Sequence, residues 1–329
     1  MRFGIFVPQG WRHDLVDIEP SEQWKTMRDL AQYFDAGPWE SLWVYDHFHT
    51  VPVPSEQATH EAWTLMSAFA ASTDRIRLGQ MCTCMSYRNP AYLAKVAATV
   101  DHISGGRTEM GIGGGWYEHE WRAYGYGFPS IGDRLGRLRE GVEIMKQAWT
   151  TGTATLHGEH YQVDGARVFP LPPQEGGLPL WIAGGGEKVT LRIAAEYAQY
   201  TNFGTDAESF AAKSELLRQH CADAGTDFGA IVRSRNFNTV VAASESEAQS
   251  KVDAMEARLT PHLGEAGAAK HVAEYRNGSA LIGTPEQVVE KLQEMEALGM
   301  GYAIHNFADA AYDRSSFELF EKEVIPALS

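Results

Sequence analysis

Cysteine is scarce in this chain: the 329 residues hold three, Cys82, Cys84 and Cys221. So few, and an odd number, argue against a disulfide framework and for a reducing compartment. Basic residues are also short, with Lys+Arg 28 against Asp+Glu 43 and a net charge of -15. Phosphate neutralisation needs a basic face, so general nucleic-acid binding is not expected. No stretch approaches the roughly 18 apolar residues of a membrane span. The start, MRFGIFVPQGW, lacks the apolar run of a secretory signal, so no membrane partner is expected and the cytoplasm is the expected address. Low-complexity segments and fixed-period repeats are missing too. What the chain does have is 44% hydrophobic and 22% charged residues, enough apolar surface for a sizeable core and no signature of disorder. Because α/β barrels run past about 250 residues as one unit, a single domain over 1–329 is the expectation.

Short apolar runs alternate with longer helical patterns along the whole chain, the rhythm of a parallel sheet covered by helices. Eight runs read as strands: Phe3 to Val7, Ser41 to Tyr45, Ile76 to Thr83, Thr108 to Ile112, Leu180 to Ala183, Tyr200 to Phe203, Phe237 to Ala242 and Tyr302 to His305. They suggest a closed (β/α)8 TIM barrel, although a doubly wound open sheet produces the same alternation. After Asn89-Pro90, residues Leu93, Val96, Ala97 and Val100 fall at helical spacing, with proline suited to a first helical position. Thr284 to Gln287 reads as a capping box before a buried stripe of Val288, Val289, Leu292, Met295 and Leu298, and Ser244 with Glu247 repeats the spacing. The connections over 117–173 and 206–235 are long for single crossings, so insertions are expected in both.

The second run ends in WVYDHFHT, placing Asp46 and His47 where a barrel strand opens onto its catalytic face. A histidine there can handle a proton near neutral pH, with the carboxylate fixing its tautomer or capping the next turn. The plainer alternative, a strand-end Asp and His satisfied by backbone groups, stays open. His47 and His49 could also begin a zinc site, and with it a metal-dependent barrel hydrolase. Such a site needs ligands from later strand ends, but WIAGGG and YTNFG supply no histidine there, and His102, His119 and His157 read as helix or loop; no metal ligands are assigned. Cys82 and Cys84, one residue apart, read as polarisable packing groups beside a bound ring or in the core.

Two glycine clusters follow, GIGGGW at Gly111 to Trp116 and WIAGGGEK at Trp181 to Lys188. The first fails the dinucleotide fingerprint, whose last glycine falls on Trp116, and the second fails the P-loop spacing. The second still places three flexible residues before a helix expected to begin near Glu187, where backbone N–H groups can hold a phosphate; a plain tight turn is the alternative. The first lets backbone approach a flat ring, with Trp116 as a wall.

Taken together, DHF at Asp46 to Phe48, RNPAYLAKVAATVDHISGGR at Arg88 to Arg107, GIGGGWYEHEW at Gly111 to Trp121 and the later WIAGGG resemble the luciferase-like superfamily. Within it the chain is similar to the actinobacterial branch of deazaflavin (coenzyme F420)-dependent oxidoreductases, over nearly its whole length. The resemblance selects the closed barrel. It implies a hydride-transferring enzyme that binds F420 or, alternatively, FMN as a monooxygenase or reductase, with a small-molecule ketone, quinone or alcohol as substrate and room for a homodimer. His47 maps onto the histidine near the reactive centre of the ring, with Asp46 beside it. A non-prolyl cis peptide that supports the ring in the family would fall near Met81-Cys82, with Thr83 as neighbour. Gly115, Trp116 and His119, with Glu120, fall where ring contacts occur, and Gly184, Gly185 and Gly186 map onto the phosphate turn. Arg88, Lys95 or Lys188 would meet the anionic tail of F420. Members that oxidise a sugar phosphate carry a tryptophan shortly after the histidine and a glutamate after the first glycine cluster; here Val51 and Trp116 stand there.

Overall fold

The computed structural model describes residues 1–204 and 206–328. In chain order the strands are β1 (Arg2–Phe6), β2 (Ser41–Val44), β3 (Arg77–Gln80), β4 (Thr83–Cys84), β5 (Thr108–Gly113), β6 (Thr153–His157), β7 (Gln162–Arg167), β8 (Leu180–Ala183), β9 (Tyr200–Asn202), β10 (Val232–Val241), β11 (Leu281–Gly283) and β12 (Tyr302–Asn306). The principal helices are α1 (Pro20–Ala36), α2 (Ala62–Ser72), α3 (Pro90–Ser104), α4 (Glu118–Ala123), α5 (Ile131–Thr151), α6 (Thr190–Tyr197), α7 (Ala207–Ala224), α8 (Glu245–Arg276) and α9 (Pro285–Ala297). None of the described helices is long and apolar enough to cross a membrane.

Two compact units share the chain. The first takes 1–60, 204–211 and 233–329, and the second 61–203 and 212–232. In the first, parallel strands run in the order β11-β10-β12-β1-β2. Their interior is tied by a chain of hydroxyls: Trp43 Nε1 donates to Ser41 Oγ at 2.6 Å, which meets the Tyr302 hydroxyl at 2.5 Å, so β2 and β12 share a polar link inside an apolar sheet. Helix α8 lays Ala248, Val252, Met255, Leu259, Val272 and Tyr275 against Val240 of β10. It is broken at Gly264, whose φ of +70° and ψ of 166° a glycine adopts without the penalty a side chain would bring.

In the second unit β3-β5-β8-β9 pair in parallel and β4 adds to the far end of β5. Glu109 of β5 is buried and accepts from Trp181 Nε1 on β8 at 2.7 Å and from Arg77 on β3, so three neighbouring strands share one carboxylate. Helix α3 begins as its sequence requires: the Asn89 side chain accepts from Ala91 N and Tyr92 N, and Leu93, Ala97 and Val100 are buried. Each fully buried Leu or Val of that stripe contributes about 1.5–3 kcal/mol.

The third expected run divides into β3 and β4. The run expected from Phe237 begins five residues earlier, at Val232, because VRSRN follows one apolar residue with four polar ones and does not read as an apolar run. The segment 117–173 contains α4, α5 and an antiparallel pair, β6 with β7; TATLH and QVDGAR are too polar to have been read as strands, and His157 ends one of them rather than lying on helix or loop. Segment 206–235 is mostly α7. The Thr284 capping box is present, with Thr284 N donating to Gln287 Oε1 at 3.0 Å, but Leu298 is exposed where a buried stripe member was expected, since it follows the last helical turn.

Candidate active site

In the first unit, Asp46 and His47 follow β2 directly. Asp46 is buried and His47 half-buried. The imidazole of His47 lies parallel to the indole of Trp11, centroids 4.2 Å apart and planes within 1°. Trp11 stands on the segment after β1 and packs on Tyr45 at 4.3 Å, and Tyr45 stacks on Phe6 at 4.2 Å. The loops after β1 and β2 are clamped together by one side chain: Gln9 Oε1 accepts from Tyr45 N at 2.8 Å, while its Nε2 donates to Tyr45 O at 2.8 Å and His60 O at 2.6 Å.

Around this stack burial shifts several titratable groups. Burial pushes the Asp14 carboxyl up to about 6, although Gly10 N donates to it at 2.5 Å. Burial, with Arg12 nearby, pushes His271 down to about 3, and burial also lowers His13. Arg12 is paired with Glu274. No group of three or more His, Cys, Asp or Glu among the described residues is arranged to hold a metal ion, so the His47/His49 pair is not completed into a ligand set.

The second unit carries the remaining expected positions. The Met81–Cys82 peptide is cis. Thr83 is fully buried and donates to Gln80 Oε1 at 2.7 Å. The two thiols abut the glycine run of β5: a Cβ on Gly113 would lie 2.8 Å from Cys82 Sγ, and one on Gly115 2.5 Å from Cys84 Sγ. Gly115 has φ +76°, and its carbonyl accepts from Arg134 Nη1. Trp116 is 60% exposed and stacks on Tyr117. His119 is exposed on α4, whereas Glu120 is fully buried and accepts from the Tyr87 hydroxyl at 3.0 Å.

The glycine turn after β8 opens with Gly184 at φ +112°, whose N–H donates to Asn202 O at 2.9 Å. Helix α6 starts at Thr190 rather than near Glu187; Glu187 and Lys188 remain in the turn, and Leu191 N reaches back to Gly186 O at 3.0 Å. A cation lies against this turn that the sequence did not reveal. Lys213 Nζ donates to Gly185 O at 2.8 Å and sits 3.9 Å from Glu187 Oε1. Of the three cations expected for an anionic tail, Arg88 is paired with Glu61 at 2.6 Å, Lys95 donates to Phe169 O, and Lys188 is exposed. Backbone amides beside an ammonium group suit a phosphate, so the residues present fit an anionic cofactor tail. Lys213 follows Gly185 by 28 residues on a different helix, and no local pattern marks it.

The model of the luciferase-like monooxygenase family matches residues 1–301. The chain is 32% identical over 177 residues to an F420-dependent glucose-6-phosphate dehydrogenase of Amycolatopsis mediterranei, covering 52% of this chain and 50% of that protein, so it spans about half the length of that relative. It is 25% identical over 291 residues to an FMNH(2)-dependent dimethylsulfone monooxygenase of Pseudomonas putida, covering 81% and 78%. Among solved structures, monooxygenase RslO1 of Streptomyces bottropensis superimposes with a TM-score of 0.81 at 20% identity, each chain covered completely. The chain belongs to the luciferase-like monooxygenase family. Its fold is the (β/α)8 barrel expected from the strand rhythm, not the open sheet that the rhythm also allowed.

Proposed function

We propose that this chain is a deazaflavin-dependent oxidoreductase that moves hydride between coenzyme F420 and a small organic substrate, a ketone, quinone or alcohol. The observation that carries the reading is the turn at Gly184 to Gly186 with the Lys213 ammonium against it, a cradle for a phosphorylated tail. The Amycolatopsis relative, named for F420, supports the choice of cofactor. The deazaflavin, when bound, supplies the two-electron redox chemistry.

The chain's own groups do the rest. Gly184 shapes the turn, its own N–H bonded to Asn202 O, while Gly185 and Gly186 offer backbone amides to the phosphate and Lys213 its charge. Met81, Cys82, Thr83, Gly115, Trp116 and His119 orient the ring and keep water from it. His47 gives or takes the substrate's proton at its imidazole, with the buried Asp46 beside it. Val51 and Trp116 stand where members acting on sugar phosphates carry tryptophan and glutamate, which favours an uncharged substrate.

Titration of the purified apoprotein with F420 and with FMN tests the cofactor; tighter binding of FMN would overturn it. With the cofactor known, His47→Ala is expected to lower turnover on a panel of ketones, quinones and alcohols by at least about tenfold while cofactor binding holds. Unchanged turnover would remove His47 from the chemistry.

A further inference from the structure

We infer that Trp11 is the positioning residue for His47: its indole is the plate against which the imidazole is oriented. The inference rests on the reading of His47 as the proton-handling group, and adds to it a residue outside the four segments that carry the family resemblance.

The geometry is specific. With centroids 4.2 Å apart and planes within 1°, the two rings are in face contact over their overlap. The χ2 torsion of a histidine is broad and roughly two-fold, so a half-buried imidazole at a strand end has no ring plane imposed by its own backbone. A flat neighbour at contact distance imposes one, because turning the imidazole out of parallel drives its edge into the indole face. A group that must meet a substrate atom at hydrogen-bond distance needs that constraint.

Trp11 is itself immobilised from several sides. Val51 N, four residues beyond His47, donates to Trp11 O at 2.9 Å, so the backbone carrying the plate is bonded to the loop carrying the imidazole. The Tyr45 ring backs the indole at 4.3 Å and is stacked in turn on Phe6 of β1. Trp11 is only 7% exposed. The series Phe6, Tyr45, Trp11, His47 therefore runs from the sheet to the imidazole as successive ring contacts, and each ring limits the tilt of the next.

The contacts of the indole are those of its flat face: His47 lies parallel to it, Tyr45 packs on it at 4.3 Å, and the Arg12 guanidinium lies 5.9 Å from the ring centroid.

The test separates orientation from simple packing. In histidine-labelled apoprotein, the ring C–H resonances of His47, assigned by their loss in His47→Ala, are expected to lie upfield under the indole ring current. Trp11→Leu should return them to ordinary positions and Trp11→Phe should keep part of the displacement. In turnover assays Trp11→Leu should lower kcat on the order of tenfold with KM within about twofold, Trp11→Phe should recover most of the loss, and Trp11→Leu in a His47→Ala background should add nothing. Should Trp11→Leu fail to fold, Trp11→Met fills most of the volume without a flat face and makes the same comparison with Trp11→Phe. His47 resonances unmoved by loss of the plate, or a flexible side chain at 11 that matches phenylalanine in kcat, would overturn the inference. If instead His47→Ala turns over normally, the proton-handling role fails, while the resonances still report whether Trp11 orients the ring.

Discussion

The ammonium of Lys213, on α7, donates to the carbonyl oxygen of Gly185 at 2.8 Å, and a side chain on that glycine would meet the aliphatic part of the lysine at 2.8 Å. The missing Cβ is what lets the cation lie on the turn.

Replacing Lys213 by Met should therefore keep the fold and weaken binding of a phosphorylated cofactor by about tenfold, the scale of one charge-assisted hydrogen bond. Fluorescence titration of the variant checks this. An affinity equal to that of the unmodified chain would mean that Lys213 serves the turn alone.

Arg107 closes the SGGR segment that helped to reveal the family, yet its contacts are architectural. Its guanidinium donates to Ser104 O at 2.7 Å, Thr73 Oγ1 at 2.9 Å, Ile76 O at 2.7 Å, Ala70 O at 3.0 Å and Thr73 O at 2.7 Å. These include carbonyls at the C-terminal end of α2, which have no partner within the helix. Arg107→Met is expected to cost about 3 kcal/mol in urea unfolding, and Arg107→Lys most of that, because an ammonium cannot reproduce the fork. A loss below about 0.5 kcal/mol for both would show that water replaces the clasp.

His305 is fully buried among Phe3, Phe237 and Phe320, with Nδ1 2.9 Å from Thr239 Oγ1. Burial pushes it down to about 3, so between pH 6.5 and 3 the unfolded chain binds a proton that the folded chain refuses. Stability is thus intact above pH 6.5 and is lost as pH falls. His271, held at about 3 by burial and by Arg12, adds to the same slope. Asp14 opposes it: its carboxyl, raised to about 6 by burial, binds a proton in the folded state first, so between pH 6 and 4 it stabilises as pH falls. Urea unfolding at pH 7.5 and 4.5 should show His305→Phe losing about 3 kcal/mol less than the parent over that interval. Equal losses in both would place the acid sensitivity elsewhere.

Several parts of the candidate site were legible because their local structure is set by neighbouring residues. Asp46 and His47 end a strand of continuous apolar residues, and three glycines in a row after WIA announce a turn whatever surrounds them. The cis Met81–Cys82 bond followed from family resemblance rather than from any preference of those residues. Strand β10 was half missed because Arg233, Ser234, Arg235 and Asn236 near its start are all polar, and the β6–β7 pair was missed because an exposed antiparallel ribbon needs little apolar surface.

What the sequence determined by itself was the order of strands and helices, the positions of the strand ends that can carry chemistry, and the family they belong to, since periodicity and capping act over a few residues. Only the tertiary structure decided which distant groups meet them: Trp11 on His47, Lys213 on Gly185, Tyr87 on Glu120. Such pairings arise from how packed elements place side chains in space, and contacts spanning 28 to 36 residues leave no periodic trace along the chain.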